Sequence, residues 1–546
     1  MSGPLYDAIV LGSGASGAMA ASVLVKRGWT VLMVDGGVDD ARYRQIIPDR
    51  SFSEIRRTDA QQARYFLGDD LEGIPKEGVK VGAQLTPPRQ FIHQDTDSLH
   101  LPFESDSFFP MQTLALGGLG AGWGAACFAF DSEELRRVGI PAEGFTRYYD
   151  EVAREIGVSA DLSSELAPLT LPGLTESQPP LEIDENAQAI LNRWCASKNG
   201  FRKAGLTLGA PALAVLSRDL GNRKANPYFD MDFWSDSRRS VYRPRYTVEE
   251  LEREANFQRA SGMLAESFEE TSQSVVLHCR YLRDGTRVQF QGKRLFLCAG
   301  ALGSARVALA SAGNVARETS LLCNPYTYMP CLNLSRLGRK NSERRHSLSQ
   351  LCGLYLPPGF QDAAVSLQFY SYESLLLFKL VKEAPLPAWA GLLVMRALMS
   401  SLTIVGVHHA DSPSPGKTVK WIPGYSGQNS KLSFRYETAD DQVSMRHENE
   451  KRLQKLLLRL GCLPMGRIDP GTASSIHYAG TIPNREGESS TFGCDSSGRM
   501  NGRKRVYVAD SSSWNYLPAK GLTFTLMANA RRVAEEAWKA ASGGAP

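Results

Sequence analysis

The chain of 546 residues has no excess of charge of either sign. Its 62 Lys and Arg residues stand against 58 Asp and Glu residues, which leaves a net charge of +4. A protein whose main ligand is nucleic acid needs a basic surface to neutralise phosphates, so this balance argues against that class. Low-complexity tracts and internal repeats are also missing, and 42% of the residues are hydrophobic, as in ordinary globular proteins. At about 150 residues per domain, the length predicts roughly two to four globular domains.

Paired cysteines with metal-binding or haem-binding spacing are also missing. The nine cysteines are scattered and none forms a Cys-x-x-Cys pair, which argues against a zinc ribbon, a disulfide framework and a haem attachment site. We therefore expect buried thiols in a reducing compartment and no metal site. The first residues show no basic segment followed by an apolar run, so we expect a cytoplasmic protein without a signal peptide.

The chain begins with a strand–turn–helix–strand pattern. Residues 8–11 and 30–34 are apolar runs typical of buried strands, and the first is followed by Gly12-Ser13-Gly14-Ala15-Ser16-Gly17 and a helical pattern. Gly12 permits a tight turn, Gly14 lets backbone amides approach a pyrophosphate, and Gly17 allows close packing of helix on strand. Asp35, eighteen residues after Gly17, is placed to accept hydrogen bonds from ribose hydroxyls. The pattern predicts a dinucleotide site, without separating NAD from FAD; the alternative is a glycine-rich turn without a ligand.

A second glycine-rich stretch, residues 117–124, contains five glycines mixed with leucine and tryptophan. Backbone without side chains can lie flat against a ligand. A flexible linker, which is the alternative, would lack the apolar residues. The stretch predicts a loop that faces a ligand.

Two further motifs are typical of a doubly wound sheet. Residues 294–301 have the pattern of a strand that ends in Ala-Gly-Ala, and residues 304–311 that of a helix, which indicates a second phosphate-side turn. Residues 506–510 predict a strand that ends in Asp510, and a last helix is predicted from Thr523 to about residue 541. The first turn of that helix offers amides and a positive dipole end to an electron-rich ring edge.

On these motifs, and on His477-Tyr478-Ala479-Gly480-Thr481, the chain resembles the glucose–methanol–choline family of flavin-dependent alcohol oxidoreductases. The order of landmarks matches over most of the chain, and Trp123 is similar to a tryptophan of the sugar-oxidising branches. The resemblance implies an FAD site that contains Gly12, Gly14, Ala15, Ser16, Gly17, Asp35, Gly117, Gly118, Gly122, Trp123, Ala299, Gly300, Asp510, Ser511 and Thr523. It implies oxidation of an alcohol (a sugar, a polyol or a hydroxylated natural product) to a carbonyl. The electron acceptor would be O2, a quinone or a redox protein.

The chemistry itself requires a base. Hydride leaves a substrate carbon only as the hydroxyl proton departs, and an imidazole with a pKa near ~6.5 can hold that proton at neutral pH. His477 is the candidate, with a structural histidine on a turn as the alternative. The pair His408 and His409 could reach a substrate pocket, but we expect it at a strand end on the surface.

The sequence departs from the family pattern at two positions. Where the family carries a second histidine or asparagine, this chain has Gly521. We expect that Asn515 or Lys520 completes the site, that His477 acts alone, or that the chemistry is altered. If the chemistry is altered, the alternative functions are a redox-neutral lyase with structural FAD and a catalytically decayed flavin-binding protein. Gly122 stands where some relatives attach FAD through a histidine, so we expect noncovalent FAD.

We predict an α/β fold, α+β overall, with two domains. A Rossmann-like FAD-binding domain would contain residues 1–130, 240–312 and 471–546. A substrate-binding domain, built on an antiparallel sheet plus helices, would contain residues 131–239 and 313–470.

Residues 386–407 are rich in Leu, Val, Ala and Met but are interrupted by Arg396. A central arginine argues against a spanning helix. We expect a buried core helix followed by a strand through residues 403–407. The alternative is an interfacial helix in contact with a membrane surface, which would make the protein peripheral.

Overall fold

The computed structural model describes residues 4–73, 86–93, 100–313, 317–359, 364–371, 386–424, 430–487 and 491–543. The strands in these ranges are Leu5–Tyr6 (β1), Ala8–Leu11 (β2), Val31–Val34 (β3), Phe103–Glu104 (β4), Leu206–Gly209 (β5), Phe257–Ala260 (β6), Met263–Glu270 (β7), Val275–Tyr281 (β8), Arg287–Gly292 (β9), Leu295–Leu297 (β10), Glu318–Ser320 (β11), Leu322–Cys323 (β12), Tyr326–Asn333 (β13), Leu351–Tyr355 (β14), Val365–Tyr370 (β15), Leu402–His409 (β16), Lys417–Ile422 (β17), Lys431–Tyr436 (β18), Cys462–Pro464 (β19), Tyr478–Ala479 (β20) and Val506–Val508 (β21).

The α-helices are Ala15–Lys26 (α1), Phe52–Thr58 (α2), Gln62–Leu67 (α3), Ser132–Val138 (α4), Thr146–Ile156 (α5), Ala167–Thr170 (α6), Glu185–Ala196 (α7), Lys198–Lys203 (α8), Pro244–Leu251 (α9), Gly300–Ser311 (α10), Ala388–Leu398 (α11), Asp440–Arg459 (α12) and Thr523–Ala541 (α13). Short 3-10 turns are formed by Pro87–Ile92, Gly118–Gly122, Leu334–Arg336 and Ser511–Ser513.

A five-stranded parallel sheet carries the glycine motifs. Its strand order is β21–β10–β2–β3–β6, and its strands come from three distant stretches of the chain. Every residue of β2, β3, β10 and β21 is buried, which explains the unbroken apolar runs in the sequence. Helix α1 covers one face of this sheet and is itself covered by α13. The mixed α/β class with a parallel nucleotide-type sheet is therefore confirmed.

A six-stranded sheet, in the order β19–β13–β16–β15–β14–β5, forms the second main layer, and all its pairs are antiparallel. The strand predicted at residues 364–369 is observed as β15. One face of this sheet packs against α7 and α12 through side chains such as Val405 and Val407 of β16. Alternate residues of β16 therefore point the other way. The division into two domains stays a prediction.

Two elements differ from expectation. Helix α10 begins at Gly300, before the predicted start at residue 304, because the chain turns into the helix directly after β10. The segment 386–407 contains α11 and β16, so the predicted strand is confirmed. The expectation that its helix is buried is wrong, because Trp389 is 70% and Leu393 58% exposed. Within the described ranges no helix combines the length and the apolar character that crossing a bilayer requires.

All nine cysteines are free thiols in the structure. All except Cys195 are buried, which agrees with the expectation of small apolar side chains and corrects it at that one position.

Candidate active site

A cavity of about 450 Å³ lies between the carboxyl edge of the parallel sheet and the antiparallel sheet. Its walls contain residues that follow β2, β3, β10 and β21, together with side chains from β13, β15 and β16. Ligands of open parallel sheets bind at this edge. Of the predicted site residues, the lining contains Gly12, Gly14, Ala15, Ser16, Asp35, Gly118, Gly122, Trp123, Ala299, Gly300, His477, Ser511, Gly521 and Thr523. Gly17, Gly117, Asp510, Asn515 and Lys520 are not part of the lining.

The turn between β2 and α1 needs glycine for steric reasons. Gly12 has a φ of +103°, and a Cβ atom on Gly17 would lie 1.8 Å from the carbonyl oxygen of Gly12. Gly17 therefore acts through packing of helix on strand, as predicted, and not through contact with a ligand. The hydroxyl of Ser13 accepts a hydrogen bond of 3.0 Å from the backbone amide of Gly117, which joins the two glycine-rich loops at the cavity wall.

Asp35 provides two acceptors at the end of β3. Both of its carboxylate oxygens are buried and lack a partner with good hydrogen-bond geometry among the described residues, although the hydroxyl of Ser13 and the amide of Gly37 lie near them. The guanidinium of Arg259 lies 3.8 Å away, and burial raises the pKa of the carboxyl above its ordinary value. A buried acceptor without a donor costs free energy, and the two hydroxyls of a ribose would supply the donors. The residues present therefore fit the sugar of a dinucleotide.

Two buried arginines donate hydrogen bonds to backbone carbonyl oxygens of the second glycine-rich loop. Arg243 donates to the carbonyl oxygen of Trp123 at 2.6 Å and Arg89 donates to that of Ala121 at 3.4 Å. Arg89 also pairs with the carboxylate of Asp236 at 2.6 Å. With these carbonyl groups held on the protein side, the glycines of the loop present bare backbone to the cavity. This arrangement fits a flat ring system.

Asp510 supports the cavity without lining it. Its fully buried carboxylate accepts hydrogen bonds from the hydroxyl of Ser304 at 2.6 Å and from the amide of Ser512 at 3.0 Å. The hydroxyl of Ser304 in turn accepts from the amide of Ala299 at 3.2 Å. Asp510 therefore positions the turn after β10, and the prediction of direct ligand contact is replaced by this positioning role.

The imidazole of His477 has a defined tautomer. The Nδ2 atom of Asn324 donates to the carbonyl oxygens of His409 at 2.8 Å and Pro518 at 2.9 Å. The orientation of the amide is therefore set, and Oδ1 is its acceptor. His477 Nδ1 lies 3.0 Å from that oxygen and must carry the hydrogen. The lone pair is then on Nε2, which has no hydrogen-bond partner among the described residues.

A second histidine faces the same space. The ring of His408 stacks on that of His477 with 5.3 Å between centroids, and the ring of Tyr326 lies 4.6 Å away on β13. His409, on the opposite face of β16, instead bonds through Nε2 to Glu450 of α12 at 3.1 Å. The expectation of a surface position for this pair is wrong, because His408 lines the cavity and both rings are buried.

The environment keeps both cavity histidines neutral. Burial lowers the pKa of His477 from 6.5 to about 4. Burial lowers the pKa of His408 well below its usual value, and the neighbouring His477 and His409 lower it further. Both imidazoles are therefore uncharged at neutral pH, and a proton on one disfavours a proton on the other.

Asn515 and Lys520 point away from the cavity. The Nδ2 atom of Asn515 donates to the carbonyl oxygen of Asn484 at 3.1 Å, and the ammonium of Lys520 pairs with Glu134 at 2.6 Å. Their polar groups are satisfied within the protein, so the expectation that one of them completes the site is wrong. A Cβ atom on Gly521 would lie 3.1 Å from the ring of Phe128, which leaves little room for a larger side chain there.

Several residues at the cavity were not found from the sequence. Asn324, Arg89 and Arg243 lie in no motif, and nothing local marks them as partners of His477 or of the glycine loop. His408 did carry a signal, since it follows an alternating strand pattern in which Val405, Val407 and His409 share one face. In the described part of the chain, no group of three or more His, Cys, Asp or Glu side chains is arranged to hold a metal ion.

No family profile and no curated protein sequence matches the chain. Solved structures do match it. A pyridoxine 4-oxidase from Mesorbium loti superposes with a TM-score of 0.55 at 14% identity, over 97% of this chain and 98% of its own. An FAD-dependent oxidoreductase from Chaetomium thermophilum, solved with a bound butanamide fragment, has a TM-score of 0.58 at 13% identity, over 98% and 99%.

The chain has the fold of FAD-dependent oxidoreductases. The match extends over nearly the full length of both neighbours, so it includes the antiparallel sheet as well as the nucleotide-type sheet. It fits the resemblance to the glucose–methanol–choline family that the glycine and histidine motifs indicated.

His477 should titrate far below an ordinary histidine. We expect a pKa of about 4, with the hydrogen on Nδ1 in the neutral form, because burial disfavours the imidazolium and Asn324 offers only an acceptor. NMR of protein labelled with 15N-histidine measures both, with His477→Asn to assign the signal. Between pH 6.5 and 4 the unfolded chain binds the extra proton, so the contribution of this group to stability falls as the pH falls through that window. A pKa near 6.5, or a hydrogen on Nε2, would contradict the assigned geometry.

Proposed function

We propose that this protein is an FAD-dependent oxidoreductase that oxidises an alcohol to a carbonyl compound. The observation that carries the proposal is the lone pair on Nε2 of His477, held in the wall of a cavity whose other wall is made of glycine-rich loops. A base is needed at that position because the hydroxyl proton has to leave as the carbon is oxidised. The fold supports the same conclusion.

The residues present fit FAD as the cofactor. The loop of residues 12–17 and the α1 N-terminus would hold the pyrophosphate, Asp35 the ribose, and the loop of residues 118–123 the flavin ring. When bound, FAD accepts the hydride that leaves the substrate carbon. Gly122 offers no side chain for a covalent bond, so we propose that the cofactor is held without one.

His477 would take the hydroxyl proton on Nε2. The low pKa of His477 keeps Nε2 unprotonated at neutral pH. After the transfer, the Nδ1–H group still donates to Asn324, so the imidazolium remains in the same orientation. Asn324 is thus a positioning residue, because it acts through His477.

His408 would take the place of the group that is missing at Gly521. It comes from the antiparallel sheet, its ring lies parallel to that of His477 to within 22°, and its ring nitrogens form no hydrogen bond among the described residues. We propose that it bonds to the substrate oxygen and holds the hydroxyl toward His477.

Anaerobic reduction of the bound flavin tests the proposal. The protein reconstituted with FAD is mixed with polyols, sugars, hydroxylated natural products and pyridoxine, the alcohol named for one structural neighbour. We expect at least one alcohol to bleach the visible absorbance. Substrate turnover without bleaching would indicate a lyase. Absence of both turnover and bleaching would indicate a catalytically inactive flavin protein. Reoxidation by O2, a quinone or a redox protein then identifies the electron acceptor.

Replacement of the base should stop the chemistry and leave the cofactor in place. We expect His477→Ala to bind FAD normally and to reduce the rate of flavin reduction by ~100-fold or more, the scale of general-base catalysis. Stopped-flow absorbance measures that rate. The matched control is His447→Ala, an exposed histidine on α12, which should reduce flavin at the wild-type rate. Near-normal reduction in His477→Ala would remove this residue from the mechanism.

His408 should also be needed for fast flavin reduction, because it holds the substrate oxygen and not because it accepts the proton. We expect His408→Ala to slow flavin reduction by about 10-fold or more, since the substrate oxygen loses one hydrogen bond. His408→Asn should recover part of the rate, because an amide can also donate. The measurement is again stopped-flow reduction at saturating substrate. If the alanine and asparagine variants were both as fast as the wild type, His408 would have only a packing role.

Loss of the ribose acceptors should affect cofactor binding alone. We expect Asp35→Ala to weaken FAD binding by about 10-fold or more, because two buried hydrogen bonds are lost. The fraction that remains loaded should be reduced by substrate at the normal rate. Fluorescence titration of the apoprotein with FAD measures the affinity, and wild-type affinity would argue against the assignment of Asp35.

A further inference from the structure

Helix α11 exposes most of its apolar side chains to solvent. Trp389 is 70%, Leu392 47% and Leu393 58% exposed, and these three positions lie on one side of the helix, while Met395 is buried against the protein. Exposed apolar patches of this kind on a soluble surface mark interaction sites. Nothing in the proposed flavin chemistry accounts for them.

A second exposed segment adjoins the carboxyl end of this helix. The amide of Gly338 donates to the carbonyl oxygen of Ala397 at 3.0 Å, and the hydroxyl of Ser400 donates to that of Arg336 at 2.7 Å. This segment adds Leu334, 55% exposed, and Leu337, 43% exposed. We call the exposed residues of α11 and of residues 334–340 the α11 surface.

The charge of the α11 surface has one sign. Residues 334–340 and 386–398 contain Arg336, Arg339, Lys340 and Arg396 and no acidic residue. The whole chain carries a net charge of +4, so these two short segments hold as much net positive charge as the entire protein. In the described part of the chain, none of these four side chains is paired with a carboxylate. Arg339, Lys340 and Arg396 are exposed, whereas Arg336 is half-buried and donates to the carbonyl oxygen of Lys340 and to Asn341.

We propose that the α11 surface binds the anionic headgroups and outer acyl region of a phospholipid bilayer. An exposed tryptophan and leucines next to unpaired basic side chains form the pattern of an interfacial helix. Eleven residues of helix extend only ~16 Å, which suits a helix lying in the interface and not one crossing it. A second copy of the chain is a poorer occupant, because a symmetric contact would bring like charges together.

The α11 surface and the cavity are separated along β16. The strand leaves the helix at Leu402 and reaches the cavity at His408, a distance of about 20 Å at the rise of a β-strand. Substitutions on the α11 surface should therefore leave flavin reduction unchanged. The proposal is independent of the proposed oxidation, and its test does not require a known substrate.

Co-sedimentation of the full-length protein with vesicles tests the proposal. Vesicles of phosphatidylcholine alone are compared with vesicles containing about one third phosphatidylglycerol, at low and high salt. We expect binding to the anionic vesicles and weaker binding at high salt, since exposed charges are screened. Leu393→Glu and Trp389→Ala should each reduce the bound fraction by about 10-fold. Arg339→Gln with Lys340→Gln should weaken the preference for anionic lipid, and Arg396→Gln added to this pair should weaken it further.

The matched control is Leu458→Glu, which places the same charge at another exposed leucine, on α12, and should bind like the wild type. No sedimentation of the wild type with anionic vesicles at low salt would overturn the proposal. Wild-type binding in Leu393→Glu would overturn it as well. A wild-type dimer that dissociates on the Leu393→Glu change, with no vesicle binding, would assign the surface to a second copy instead. Circular dichroism and melting curves confirm that each variant is folded.

Discussion

The side-chain amide of Asn324 has only one group left to offer to the cavity, because both hydrogens on Nδ2 are donated to backbone carbonyl oxygens. One carbonyl belongs to His409, at the end of a central strand of the antiparallel sheet, and the other to Pro518, close to the last helix. The tautomer of His477 is therefore decided by the way these two parts of the chain meet. A local change in either would alter which ring nitrogen carries the lone pair.

Burial acts on the two cavity histidines in the same direction. Each pKa is lowered, so each ring is neutral at neutral pH and carries a single N–H hydrogen, and their stacked arrangement makes a second positive charge costly. A site of this kind holds at most one proton at a time and releases it readily. That property would suit the base that we propose, which has to be regenerated in every catalytic cycle.

Four strands of the parallel sheet were predictable because they are buried on both faces and appear as unbroken apolar runs, whereas the half-exposed edge strand β6 has no such run. The turn at Gly12 and Gly17 was predictable because no other residue fits the space. The position of His408 was predictable only in part, because the strand pattern allows one residue of the pair 408–409 to face a pocket, whereas its burial depends on the register of β16 against β13 and β15. Asn515 and Lys520 lie close to Gly521 in sequence, but Asn484 and Glu134, which are distant in sequence, bind their polar groups.

The nucleotide-type sheet also has an order of assembly. Its strands β2 and β3 leave the ribosome well before β21 and α13. Helix α1, which follows the first glycine loop, packs on the sheet and on α9, and its most extensive helix contact is with α13. During translation the side of α1 that faces α13 therefore stays exposed until the residues of α13 have been made. A chain that stops before α13 would retain the glycine fingerprint but present that side of the helix to chaperones and proteases.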